Sequence, residues 1–205
     1  MEKFVRLTAK ACPLTQPNIN TDQILPARYL KWPRSRGLGQ VLFQDLRFDA
    51  EGREQQNFPL NQPTWRDAKI IVAGRNFGGG SSREAAVYAL YDYGIRCVIA
   101  PSFGDILSQN AVKNGLLTAV LPEVEAAELA AAIADDPALP VTVDLERQTI
   151  SHDNLSYGFA IDPVSRSQLL NGWDDIDLTE NHRDQIEVFK AKDRLGRPWA
   201  IPTTA

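Results

Sequence analysis

The chain has 205 residues, 43% hydrophobic and 23% charged, proportions of an ordinary globular fold that exclude a disordered, collagenous or coiled-coil chain. Twenty-two Lys and Arg against 26 Asp and Glu leave a net charge of −4, without the basic footprint of a nucleic-acid binder. Two cysteines, Cys12 and Cys97, are too few for a disulfide framework or for an iron–sulfur cluster held by this chain alone. The opening Met1-Glu-Lys-Phe-Val-Arg carries no apolar signal region, and no run of about 18 apolar residues exists, so a cytoplasmic protein without a membrane span is expected. The two histidines, His152 and His182, are far apart, and both are expected at the solvated surface rather than in a metal site.

In chain order, residues 4–11 alternate apolar and polar and predict a strand, and 13–22, rich in Pro, Asn and Thr, predict a loop. Residues 24–32 read as a helical turn, 33–39 as an exposed basic loop, 41–48 as an apolar segment open between helix and strand, and 50–63 as a polar linker or surface excursion. Residues 69–74 predict a buried strand, 76–84 a glycine-rich loop, 82–93 a helix stopped by Gly94, and 96–100 a second buried strand. Together they have the length of a βαβ unit. A helix over 103–113 stops at Asn114-Gly115, a strand follows over 116–121, and an Ala- and Glu-rich helix over 122–134. Beyond Asp135-Asp-Pro the pattern changes to short antiparallel strands at 141–145, 149–151 and 155–161, then closing helices at 163–172 and 178–190. The prediction is one α/β domain over 1–205, a mixed sheet with flanking helices and a C-terminal helical extension from residue 163.

The chemistry concentrates in Gly78-Gly-Gly-Ser-Ser-Arg83. Glycines let backbone N–H groups approach an anion, a helix N-terminus adds partial positive charge, and Arg83 adds a guanidinium fork that fits a carboxylate or phosphate. The alternative is a plain glycine turn capped by Ser81 or Ser82. The segment lacks the Gly-Lys-Ser/Thr ending of a P-loop, the dinucleotide-binding glycine spacing and the serine-hydrolase elbow.

Four segments, in order, resemble the swivelling domain of the aconitase superfamily: Asn20-Thr-Asp-Gln-Ile-Leu-Pro, Asn76-Phe-Gly-Gly-Gly-Ser-Ser-Arg-Glu, Asp92-Tyr-Gly-Ile-Arg-Cys-Val-Ile-Ala-Pro-Ser-Phe-Gly-Asp-Ile and Asn110-Ala-Val-Lys-Asn-Gly-Leu-Leu. The resemblance spans residues 4–192, and its length and the pattern Leu42-Phe43 … Leu46-Arg47-Phe48 are most similar to bacterial small subunits of 3-isopropylmalate dehydratases. The resemblance implies a swivelling β/β/α domain and a two-subunit hydro-lyase whose large subunit carries a [4Fe–4S] cluster, with no cofactor or metal bound by this chain alone. It implies a small hydroxy diacid substrate, isomerised from 2- to 3-isopropylmalate through an alkene, in leucine biosynthesis. By the same resemblance Ser81 is the catalytic base as an alkoxide, Arg83 binds a substrate carboxylate, Ser82 gives a second hydrogen bond or the helix cap, and Gly80 offers its backbone. Asp22 lines the cleft, unless it only forms a loop-stabilising Asx turn. Arg28, Tyr29 and Leu30 resemble the segment that meets the substrate's side group, with Arg28, Lys31, Arg34 and Arg36 all open as its basic contact. Ala85 stands where most such relatives have histidine, and Gly79 where many have cysteine. A related hydro-lyase for a citraconate, methylated maleate or homoaconitate type of diacid, and a non-catalytic anion-binding module, are the alternative readings.

Overall fold

The computed structural model of the chain describes residues 1–80 and 83–200. Parallel and antiparallel strands are both present, segregated into two four-stranded sheets. The parallel sheet has the order β2 (Ala11–Leu14), β3 (Ile70–Ala73), β4 (Cys97–Ala100), β5 (Leu117–Val120). The antiparallel sheet has the order β1 (Arg6–Ala9), β6 (Val141–Asp144), β7 (Thr149–His152), β8 (Leu155–Gly158). The connections β3–α3 (Glu84–Tyr93)–β4 and β4–α4 (Asp105–Lys113)–β5 are the crossovers that parallel pairing requires. An antiparallel bridge between Val120 and Ala160 ties the sheets together.

Every residue of β3 and β4 is buried, as expected of strands covered on both faces. Their side chains divide by the two-residue period of a strand. Ile71, Ala73, Val98 and Ala100 join one core with Leu14, Phe43, Phe77 and the α3 residues Ala86, Val87 and Leu90. Ile70, Val72, Cys97 and Ile99 join a second core with Leu129 and Ile133 of α5 (Glu123–Asp135) and with Val141, Val143 and Ile150 of the antiparallel sheet. Gly94, at φ 115°, ends α3 as the sequence predicts.

The structure corrects several expectations. The predicted loop over 13–22 begins too early: Pro13 and Leu14 belong to β2, paired with Val72 and Ala73. Proline is tolerated there because β2 is an edge strand. His152 is buried, on the same inner face of β7 as Ile150, with Nδ1 3.5 Å from the Pro140 carbonyl oxygen; His182 is exposed. The segment over 24–48 folds as α1 (Thr21–Ile24), 3-10 turns at Ala27–Tyr29, Arg34–Arg36 and Leu38–Val41, and α2 (Gln44–Arg47). Pro33 to Arg36 are exposed as expected, but Leu38 and Gly39 are buried.

Residues 50–63 are no free linker, since Phe58, Leu60 and Asn61 are buried. A polar pair fastens them. Buried Arg47 donates from Nε to Asn61 Oδ1 at 3.0 Å and from Nη1 to the Leu42 carbonyl at 3.3 Å; Asn61 Nδ2 returns bonds to the Arg47 and Gln55 carbonyls at 2.6 and 3.0 Å. Burial works against the Arg47 charge and lowers its pKa.

The C-terminal extension consists of α6 (Pro163–Asn171), α7 (Asp175–Glu180) and α8 (Arg183–Gly196). Asp162 caps α6, accepting from the Ser165 amide at 2.9 Å, and Leu169 anchors it in the second core. Neither α7 nor α8 buries a residue, and Ile176, Val188, Phe189, Leu195 and Trp199 stand exposed. Among the described residues, no helix is long and apolar enough to cross a membrane.

Asn61→Ala leaves the buried Arg47 Nε without its acceptor. It should lower unfolding free energy by about 2–3 kcal/mol, read by urea denaturation; a loss below about 0.5 kcal/mol would show that this pair does not hold the segment.

Candidate active site

In a parallel sheet the loops that leave the carboxyl ends of the strands share one edge, and ligand sites of α/β folds form there. The loops after β2, β3 and β4 meet at this edge and are stitched backbone to backbone. Asn18 N donates to the Arg75 carbonyl at 2.9 Å, Gly78 N to Ile19 at 2.6 Å and Thr21 N to Gly79 at 3.1 Å. On the other side, Phe77 N donates to the Ser102 carbonyl at 3.0 Å, Gly104 N to Phe77 at 2.9 Å, and Asn76 N to Ser102 Oγ at 2.8 Å. Asn18 and Asn76 both have positive φ, 60° and 56°, and Asn76 Nδ2 donates to Asn18 Oδ1 at 3.0 Å. Paired strain of this kind persists only where neighbours hold it, and it gathers at functional sites.

Two glycines are required here. Gly78 has φ 70°, and a Cβ on it would sit 2.3 Å from Leu107 Cδ1; a Cβ on Gly104 would sit 2.5 Å from the Gly78 carbonyl oxygen. Gly78 leaves room for the Leu107 side chain, and Gly104 lets backbone touch backbone. A cavity of about 330 Å³ opens beside this loop, lined by Asn76, Gly78, Gly79, Gly80, Phe103 and Gly104 among others.

The helix after the loop begins at Glu84, two residues later than predicted, with Arg83 in the N-cap position and no side-chain cap. Ser81 and Ser82, predicted as base and as cap or hydrogen bond, lie outside the described residues. Glu84 accepts from Asn114 Nδ2 at 3.0 Å, joining the start of α3 to the end of α4. Arg83 turns to Asp22: its Nη1 donates to Asp22 Oδ1 in a close ion pair. The Asx role open to Asp22 belongs instead to Asn20, whose Oδ1 accepts from Gln23 N at 2.9 Å while Gln23 Oε1 accepts from Asn20 N at 2.9 Å, a capping box. Asn20 also bridges Gly79, and a Cβ on Gly80 would lie 3.7 Å from Asn20 Cβ. Asp22, Gly80 and Arg83 are therefore brought together.

Arg28, Tyr29 and Leu30 have a different setting. Arg28 pairs with Asp45, and its guanidinium lies 4.8 Å from the Tyr29 ring centroid. Tyr29 packs edge-on against Trp32 at 4.9 Å, and the Arg36 guanidinium lies 3.6 Å over Trp32. Leu30 is exposed and Tyr29 half-buried. Arg34 binds Asp92 and covers Tyr88. The structure thus gives Arg28, Arg34 and Arg36 partners of their own. The Asn18–Asn76–Ser102 clamp carried no chemical signal in the sequence; its only trace is asparagine, the side chain that best tolerates positive φ.

A family model for the aconitase C-terminal domain matches residues 1–124, and one described as LeuD_N matches 127–163. The 3-isopropylmalate dehydratase small subunit of Rhodospirillum centenum is 51% identical over 202 residues, 98% of this chain and 100% of that one. The small subunit of the same name from Acidothermus cellulolyticus is 47% identical over 204 residues, 100% of this chain and 98% of that one. The chain belongs to the 3-isopropylmalate dehydratase small-subunit family. The crystal structure of the Methanocaldococcus jannaschii 3-isopropylmalate dehydratase (leuD) superposes with a TM-score of 0.64 at 25% identity, covering 90% of this chain and 99% of that one.

Among the described residues, the two cysteines do not fit a cluster site. Cys12 and Cys97 lie on β2 and β4 with β3 between them, one residue out of register and so in the cores on opposite faces of the sheet, and both are buried. Burial pushes the Cys12 thiol up to about 12 and raises Cys97 as well, whereas cluster ligation needs thiolate. Among the described residues no three His, Cys, Asp or Glu side chains converge to hold a metal ion.

The thiol shifts set a pH dependence. The folded state keeps these protons after the unfolded state has lost them, so their stabilisation is complete below the ordinary thiol value of 9.0 and is lost as pH rises toward about 12. Urea midpoints should fall across that window, and Cys12→Ala/Cys97→Ala should flatten the fall. Both thiols should resist a disulfide reagent in the native chain and react after unfolding; prompt native reaction would contradict their burial.

Proposed function

We infer that this chain is the substrate-gripping half of a two-subunit hydro-lyase that interconverts 2- and 3-isopropylmalate. The observation that carries this reading is the Arg83 guanidinium standing at the glycine loop on the carboxyl edge of the parallel sheet, where a carboxylate can be gripped. In the reaction a proton leaves the carbon beside a carboxylate and hydroxide leaves its neighbour, giving an alkene; water then returns with hydroxyl and proton exchanged between the two carbons.

Ser81 takes the proton as an alkoxide and later returns it. A serine oxygen becomes a base only where fixed donors stabilise its charge; on this reading that role falls to the start of α3 and to Arg83. Arg83 grips a substrate carboxylate with its planar fork, Ser82 adds a hydrogen bond, and Gly80 admits the ligand to the backbone. Tyr29 and Leu30 offer apolar surface to the isopropyl group. The [4Fe–4S] cluster, with the Lewis acidity it supplies to the leaving hydroxyl, belongs to the large subunit. The curated name shared by the relatives gives no support to a different diacid.

The large subunit also accounts for the exposed apolar face of α8. Val188 and Leu195 lie two turns apart on one side of the helix, and exposed apolar residues grouped in this way mark interaction sites.

Mixed with its large subunit, Ser81→Ala should lose turnover while keeping the parental circular dichroism; a near-normal rate would remove Ser81 from the base role. Arg83→Lys keeps the charge but loses the fork, and kcat/KM should fall by about 2–4 kcal/mol of transition-state binding; a parental rate would remove the carboxylate grip. Val188→Asp/Leu195→Asp should weaken association with the large subunit at least tenfold, read by calorimetric titration, with the fold intact. Parental affinity would place the contact elsewhere.

A further inference from the structure

Arg83 meets Asp22 through one contact, Nη1 to Oδ1, and among the described residues nothing else engages its Nε or Nη2. The carboxylate is the outer partner: the Asp22 side chain is 55% exposed and that of Arg83 21%. Asp22 does not choose its place. It rides on α1, whose first residues are pinned to the glycine loop by the Thr21 N to Gly79 bond and by the Asn20–Gln23 capping box. The scaffold therefore holds a carboxylate at the spot from which the guanidinium is reached from solvent.

A guanidinium held at one edge is under-used. A planar carboxylate can take two parallel bonds from it, which are stronger and more directional than one. An exposed single-contact ion pair is weak and readily exchanged in water. We propose that Asp22 is a resident placeholder: it occupies Arg83 while the subunit is empty, keeps the guanidinium oriented through that one contact, and is exchanged for a carboxylate of the arriving ligand. This rests on Arg83 being the carboxylate grip. Asp22 is then a positioning and selectivity residue, because only a ligand able to fork the guanidinium displaces it and a neutral group does not.

The test uses the full chain and malonate, a small dicarboxylate, in calorimetric titrations at low salt. Asp22→Asn keeps the size and removes the competing charge, so it should bind malonate roughly two- to fivefold tighter than the parent, the scale of one exposed ion pair. Asp22→Glu should return binding toward the parent value, and Arg83→Gln should abolish saturable binding. With the large subunit, Asp22→Asn should lower KM by the same factor without raising kcat. Equal or weaker malonate binding by Asp22→Asn overturns the placeholder, as does an absence of saturable binding to both parent and variant. Should Asp22→Asn fail to reproduce the parental circular dichroism, Asp22→Ser carries the same comparison. Undiminished binding by Arg83→Gln is a different result: it removes Arg83 as the carboxylate grip and with it the reading on which the placeholder rests.

Discussion

Gly78 N to the Ile19 carbonyl and Thr21 N to the Gly79 carbonyl join two loops that leave neighbouring parallel strands, and the bonds of Phe77 and Gly104 join the second loop to a third. The rest of the site depends on this seam. It extends the sheet by single residues past its regular end, so the glycine loop is held from both sides. A side chain at Gly104 would drive into the Gly78 carbonyl and force the loops apart, and one at Gly78 would collide with Leu107 of α4. With the seam closed, Asp22 and Arg83 face each other although 61 positions separate them.

Beneath the seam the parallel sheet has no polar face. Alternate side chains of β3 and β4 supply two different cores, one shared with α3 and the 38–63 region and one with α5 and the antiparallel sheet. Loss of packing in the first core reaches α3, which carries Arg83 at its start, and the 3-10 turns against it. The Arg47–Asn61 pair closes this core from outside. Its hydrogen bonds satisfy two buried polar side chains and fix backbone that has no regular ladder of its own.

Much of the fold was legible. The buried strands over 70–73 and 97–100 announced themselves as short continuous apolar runs between turn residues, and Gly94 and Asn114-Gly115 marked helix ends through known end chemistry. What escaped was structure whose cause is tertiary. Pro13 reads as a breaker unless the strand is known to be an edge. His152 follows the inward period set by Ile150, a trace that a residue type usually found outside conceals. Residues 38–63 have no periodicity because they are held by single turns and a buried polar pair. At the candidate site the glycine turn leading into a helix was legible, while the Asp22–Arg83 pairing was not: neither residue carries a spacing that refers to the other. The displaced start of α3 has a local cause, since Arg83 takes the N-cap position in extended backbone instead of entering the helix.

The uncovered side of α8 bears on how such a chain behaves in numbers. A helix with Val188, Phe189 and Leu195 turned to water is adhesive toward any other apolar surface at high concentration. Copies made in excess of whatever covers that helix are copies with a sticky end, prone to clump or to be cleared. Solubility at high concentration is then tied to the covering of one helix face in the last turns of the chain.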